Sequence, residues 1–149
     1  MKEIERKFLL KVLPDLSLYT PWHSERFFLK NDEWFEERIS LLQDRFYYDK
    51  KVVLNSLERN REKREITESE FNSLKSHAYA STIRDTYLLS EIPKITLQVY
   101  MGQLKWLVRV EVEFNSIEEA NIFEPLSWMG EEITWLDIAR DSLILSDLK

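Results

Sequence analysis

At 149 residues the chain is long enough to bury one sizeable core and short enough to form a single domain, residues 1–149. Zero cysteines exclude disulfides, zinc–thiolate sites and thiol nucleophiles. The only glycines, Gly102 and Gly130, cannot build a glycine-rich phosphate loop or dinucleotide fingerprint, so bound phosphates would have to be held by side-chain cations. A formal net charge of −6 argues against a protein made mainly to coat nucleic acid. No apolar run is long enough to span a bilayer, and the N-terminus lacks a signal-peptide pattern, so a cytoplasmic protein is expected. His23 and His77 follow no metal-ligand spacing, and any metal would take mostly oxygen ligands, which points to Mg²⁺ or Mn²⁺.

Taken in chain order, residues 2–10 read as a strand with Glu3, Glu5 and Lys7 on one face and Ile4, Arg6, Phe8 and Leu10 on the other. Taken alone, charges on one face of an edge strand are simply solvated. Residues 14–21 read as a loop, with Leu16, Leu18 and Trp22 placed to cover one end of the domain. Short strands are expected over 25–30, 34–42 and 46–54. In the second of these Glu36, Arg38, Ser40 and Leu42 alternate with Phe35, Glu37, Ile39 and Leu41; in the third either Lys50 or Lys51 faces inward. Residues 58–65 put Arg59, Arg61, Lys63 and Glu65 on one face, the alternative being a solvated hairpin. Thr67-Glu68-Ser69-Glu70 is a capping box that starts a helix carrying Phe71 and Leu74 toward a core.

A strand over 82–88 places Arg84 and Thr86 together. Residues 94–101 alternate Ile95, Leu97, Val99 and Met101 against Lys94, Thr96, Gln98 and Tyr100, and Gly102-Gln103 marks the turn into a strand over 107–114. That strand sets Val108, Val110, Val112 and Phe114 against Arg109, Glu111 and Glu113. A second capping box, Ser116-Ile117-Glu118-Glu119, starts a short helix that ends before Pro125, and a final helical segment is expected over 137–148. If the two Glu-x-Glu faces look toward each other, Glu3, Glu5, Glu111 and Glu113 converge. Carboxylates that close resist joint ionisation unless cations sit among them, so a metal site is the natural resolution. About eight strands in consecutive hairpins tend to close into a barrel, because closure removes the edges. The recurring charged face then lines the interior while helices cover the apolar face; an open sheet with one solvated face is the alternative.

The run Glu3-Ile4-Glu5-Arg6-Lys7, the late Val110-Glu111-Val112-Glu113-Phe114 and the following Trp128-Met129-Gly130-Glu131-Glu132-Ile133-Thr134 together resemble the CYTH superfamily, the triphosphate tunnel metalloenzymes, over nearly the whole chain. The resemblance implies an α+β, mainly β fold: an eight-stranded antiparallel closed barrel, or tunnel, with a polar interior and flanking helices. It implies Glu3, Glu5, Glu111 and Glu113 as metal carboxylates, with Lys7 joining them as a catalytic residue. It implies Lys7, Arg38, Lys50 (or Lys51), Arg61 (or Arg59) and Arg84 as ligands of the phosphates, and Arg109, which shares the inward parity of Glu111, is expected to join them. The third strand's usual second arginine is Ser40, an acidic position of the fifth strand is Lys63, and Gln98 stands where an Asp is common. Residues 137–141 lack the usual Arg-Tyr-x-Asn, and Arg109 adds a cation that most members lack.

The expected function is hydrolysis of inorganic triphosphate or a small organic or nucleoside triphosphate, dependent on Mg²⁺ or Mn²⁺, by a monomer or homodimer with no membrane or dedicated nucleic-acid partner. The alternatives are a noncatalytic polyphosphate or nucleotide binder and a class IV-type adenylate cyclase.

Overall fold

The computed structural model describes residues 1–147, so Leu148, within the last predicted helix, lies outside the described residues. The strands are β1 (Lys2–Leu10), β2 (Trp22–Asn31), β3 (Phe35–Leu42), β4 (Arg45–Val53), β5 (Glu58–Ile66), β6 (Ala80–Glu91), β7 (Lys94–Met101), β8 (Val108–Phe114) and β9 (Met129–Glu132). The helices are α1 (Glu68–Lys75), α2 (Ile117–Ile122) and α3 (Asp141–Asp147). The sheet runs β5-β4-β3-β2-β6-β7-β8-β1, and β1 pairs back onto β5 to close an eight-stranded antiparallel barrel. β1 achieves this by dividing one edge: its Lys2–Ile4 portion meets β5, while Phe8 and Leu10 meet β9. Its other edge pairs with β8 from Ile4 to Leu9.

The period-two alternation of the sequence becomes an inside and an outside. The outward residues Phe8, Ile95, Leu97, Val110 and Val112, joined by Met129, form one apolar core under α2 and β9. A second cluster, Ile39, Ile66 and Phe71, seats α1, with Phe71 packed against the rings of Phe27 and Phe46. The third, built from Phe28, Tyr100, Leu104 and Leu107 with Ile144 and Leu145, seals the barrel end where α3 docks. The expected inversion holds: Glu5, Lys7, Arg26, Arg38, Asp49, Arg59, Gln98 and Arg109 are buried inside a ring whose apolar face looks out. Among the described residues no helix is long and apolar enough to cross a membrane.

Both capping boxes form, with Thr67 Oγ1 accepting from the Glu70 amide and Ser116 Oγ from the Glu119 amide, each at 3.1 Å. Other expectations needed revision. β2 and β6 are longer than predicted, because pairing with neighbours extends strands past their most periodic residues. Gly102, at φ 68°, opens a 3₁₀ turn through Leu104 rather than a tight hairpin. Of the three residues expected to cover one end, Leu18 is 93% exposed and covers nothing, Leu16 packs against the outer core of Phe8 and Val110, and Trp22 lines the lumen. The predicted continuous helix over 137–148 is instead a 3₁₀ turn, Asp137–Ala139, an extended Arg140 and then α3. β9 was not foreseen; Gly130 permits it, since a Cβ there would fall 3.0 Å from the Leu10 carbonyl carbon.

Arg6, a charged residue set among Ile4, Phe8 and Leu10 on the outer face of β1, locks this arrangement. It donates from Nε and Nη2 to Glu132 on β9 at 2.9 and 2.6 Å, and from Nη1 to the carbonyls of Ala120 and Phe123 at 2.8 and 3.0 Å. Charge-assisted bonds of this kind contribute about 1.5–3 kcal/mol each. Arg6→Met is therefore expected to lower the urea midpoint by a loss of at least about 1.5 kcal/mol without changing the m-value. Equilibrium unfolding followed by tryptophan fluorescence checks this.

Candidate active site

The carboxylates lie at one side of the lumen. Antiparallel pairing of β1 with β8 sets Glu5 opposite Glu113 and Lys7 opposite Glu111. Carboxylate oxygens of Glu3, Glu5 and Glu113 come within 4.8 Å of one another. The fourth expected ligand, Glu111, stands one step deeper: its Oε2 accepts from Gln98 Nε2 at 2.9 Å and lies 4.0 Å from Lys7 Nζ. Burial, and then the charge of Glu111, raise the Glu5 carboxyl to about 7. Burial and Glu111 also raise Glu113, while Glu111 itself is held well below the usual range because its contacts with Glu5 and Lys7 outweigh its burial. Neither buried oxygen of Glu5 receives a hydrogen bond among the described residues. Three converging carboxylates, one of them without a hydrogen-bond partner on either oxygen, fit the oxygen-ligand chemistry of Mg²⁺ or Mn²⁺.

The cations come from successive strands. Lys7 Nζ donates to the Ala139 carbonyl at 2.8 Å and stands 3.7 Å from Glu5, and burial lowers its pKa to about 8 despite the neighbouring acids. Arg38 pairs with Glu36 at 2.5 Å; Arg61 pairs with Glu3 at 2.9 Å and Asp49 at 2.7 Å. Arg59 and Arg61 both face inward, and Arg59 reaches Glu5 at 3.5 Å. Of the two lysines left open on β4, Lys51 is the inward one, 3.1 Å from Glu3, whereas Lys50 lies over the outward ring of Phe35. The placement of Lys50 among the phosphate ligands is thus corrected. Register decides it, because Asp49 pairs with inward Arg38 and Lys50 with outward Glu37. Arg38 Nε, Arg59 Nη1, Arg84 Nε and Arg109 Nε are buried donors without a hydrogen-bond partner in the described residues.

The far end of the lumen is closed by the segment that follows β9. Asp141 accepts from Arg26 and Arg109 at 2.6 Å each and from the Tyr100 hydroxyl at 2.7 Å. Arg84 donates to the same hydroxyl at 3.0 Å. Arg109 also donates to Tyr100, to the Ile138 carbonyl and to Gln98 Oε1, so it is inward as expected but engaged in closing the end. The sequence reading passed over Arg26, Glu36, Asp49 and Asp141. Parity alone would have placed Arg26 beside the buried Phe28 and Asp49 beside the inward Lys51, but nothing local marks Asp141.

This is a closed antiparallel barrel with a polyionic lumen, basic along the strands and acidic at one side. No protein-family model matches the chain. An inorganic triphosphatase of Nitrosomonas europaea is 29% identical over 137 residues, covering 90% of both proteins. A crystal structure of an inorganic triphosphatase superposes with a TM-score of 0.68 at 25% identity, covering 95% of this chain and 93% of the other. A putative adenylate cyclase of Bacillus halodurans shares the fold, with a TM-score of 0.59 at 15% identity over 81% of this chain and 86% of its own. The chain shares its closed-barrel fold with these proteins, and its sequence is similar to that of an inorganic triphosphatase over nearly its whole length.

Glu36 supplies a pH test of the lumen. Burial alone would raise its pKa, but Arg38 and then Arg26 hold it down to about 2. A depressed folded pKa contributes stability that is complete above the unfolded value of about 4.3 and lost as pH falls toward the folded one. The unfolding free energy is expected to fall between about pH 4.5 and 2, and Glu36→Gln to make that fall shallower. Denaturation midpoints at stepped pH read both slopes.

Proposed function

We propose that the protein is a triphosphatase that hydrolyses inorganic triphosphate or a small organic triphosphate with the help of Mg²⁺ or Mn²⁺. One observation carries this reading: the converging carboxylates of Glu3, Glu5 and Glu113, with both oxygens of Glu5 lacking a hydrogen-bond partner among the described residues, share a lumen with guanidinium nitrogens of Arg38 and Arg84 that also lack one there. An enclosed triphosphate needs cations on several sides, and arginine suits phosphate oxygens through its planar set of donors. Arg38, Arg59, Arg61 and Arg84, with Lys51, supply them from β3, β5, β6 and β4.

Glu3, Glu5 and Glu113 would hold the divalent cation, which when bound supplies electrostatic stabilisation of the phosphate oxygens. Lys7, between Glu5 and Glu111, keeps a positive charge close to those carboxylates. Glu111, held by Gln98, is the carboxylate free to orient a water against the terminal phosphorus. The water oxygen bonds to that phosphorus, its proton passes to Glu111, and the bridging P–O bond breaks to leave orthophosphate and pyrophosphate. Gln98 therefore acts as a positioning residue where a second acid might be expected. The closed end keeps bulk water away from the deep phosphates.

Wild-type protein with Mg²⁺ or Mn²⁺ is expected to release orthophosphate from inorganic triphosphate. Glu5→Gln should abolish the metal-dependent part, and Glu111→Gln should lower kcat by about 10²–10⁴-fold, the range for loss of a general base. Arg59→Ala should raise KM about tenfold or more. Product analysis by ion chromatography decides the matter. Triphosphate binding without metal-dependent orthophosphate above background would make the protein a binder instead.

A further inference from the structure

We propose that Asp141 is an internal anion occupying the innermost subsite of the tunnel, and that it thereby sets the length of phosphate chain the protein accepts. The proposal rests on the polyphosphate reading above and deepens it. Two guanidinium groups, Arg26 and Arg109, and the Tyr100 hydroxyl donate to this one carboxylate. That donor set is the one a terminal phosphate would receive, since charge-assisted arginine bonds and a hydroxyl are how buried phosphate oxygens are satisfied. The carboxylate is buried, at 3% exposure, and no other acid in the described residues pairs with Arg26 or Arg109.

The segment bearing Asp141 is fastened on three sides. Lys7 Nζ donates to Ala139, Arg140 donates to the carbonyls of Glu33 and Asp32 at 2.8 and 3.1 Å, and Ser142 Oγ donates to Glu36 at 2.7 Å. An incoming phosphate cannot share the nest, because its charge would sit against that of Asp141 in a desolvated site. Arg84 is the deepest arginine still free to receive one: its Nε is buried without a partner, it reaches only Tyr100, and it makes no ion pair among the described residues. A bound chain therefore ends at Arg84, and further phosphates would have to project from the open mouth, out of reach of the deep cations. Truncating Asp141 to alanine removes both the charge and the carboxylate's volume and so vacates the nest for one more phosphate.

The test is a ladder of linear di-, tri- and tetraphosphate, read as thermal stabilisation and as affinity by titration calorimetry in EDTA to prevent turnover. Wild-type protein should gain no affinity from triphosphate to tetraphosphate. Asp141→Ala should be less stable without ligand, and should bind tetraphosphate at least about tenfold more tightly than triphosphate. The charge-balanced Arg26→Gln/Asp141→Ala double variant, which leaves Arg109 and the Tyr100 hydroxyl in the nest, should show the same lengthened preference and serves if the single variant does not fold. A folded variant that keeps the wild-type order of chain lengths would overturn the assignment of Asp141 while leaving the triphosphatase reading intact. If no polyphosphate stabilises the wild-type protein, the polyphosphate reading fails, and this proposal fails with it.

Discussion

Every second residue of a strand in a closed barrel points into the lumen, and here those residues are charged. Burying ions without partners costs several kcal/mol each, so the lumen must neutralise itself or be neutralised by what it binds. Most of the structure can be understood as the answer to that demand. Arg38 takes Glu36, Arg61 takes Asp49 and Glu3, and Arg26 and Arg109 take Asp141. The apolar faces have no place inside and are covered from outside by α1, α2 and β9.

Self-neutralisation is incomplete in two places, and these define the site. At the acidic side, neither buried oxygen of Glu5 has a hydrogen-bond partner among the described residues, and burial, followed by the charge of Glu111, raises its carboxyl to about 7. Elsewhere in the lumen, Arg38 Nε and Arg84 Nε are buried donors without a hydrogen-bond partner among the described residues. In a native structure buried polar atoms are nearly always paired, so a deficit of cation and a deficit of anion in one cavity point to a ligand pair of opposite charges. A divalent ion on a polyanionic phosphate chain is such a pair. Coupling the two deficits across β1 also explains why Arg6 matters on the outer face: it fixes the strand that carries Glu3, Glu5 and Lys7.

The barrel was legible because period-two alternation needs no knowledge of neighbours. Lys2–Leu10 and Val108–Phe114 each declare an acidic and an apolar face, and their converging carboxylates follow once the strands are paired. Register was not legible where both parities offer a plausible residue, as at Lys50 and Lys51; it comes from the pairing of Arg38 with Asp49. Nor was the closing of the tunnel. Asp141 is distant in sequence from Arg26, Tyr100 and Arg109, and its role depends on Arg140 breaking the helix expected there. Pairing sets the levels within the lumen: Glu5 stands opposite Glu113, and Glu111 opposite Lys7.

The account turns on where the opposite charges settle. Anomalous diffraction from crystals grown with Mn²⁺ and a non-hydrolysable triphosphate analogue tests it most directly. The expected result is a manganese peak within about 2.5 Å of oxygens from Glu3, Glu5 and Glu113, with phosphates on Arg38, Arg59, Arg61 and Arg84. Manganese or phosphates lying outside the lumen, in protein that has kept its barrel, would contradict it.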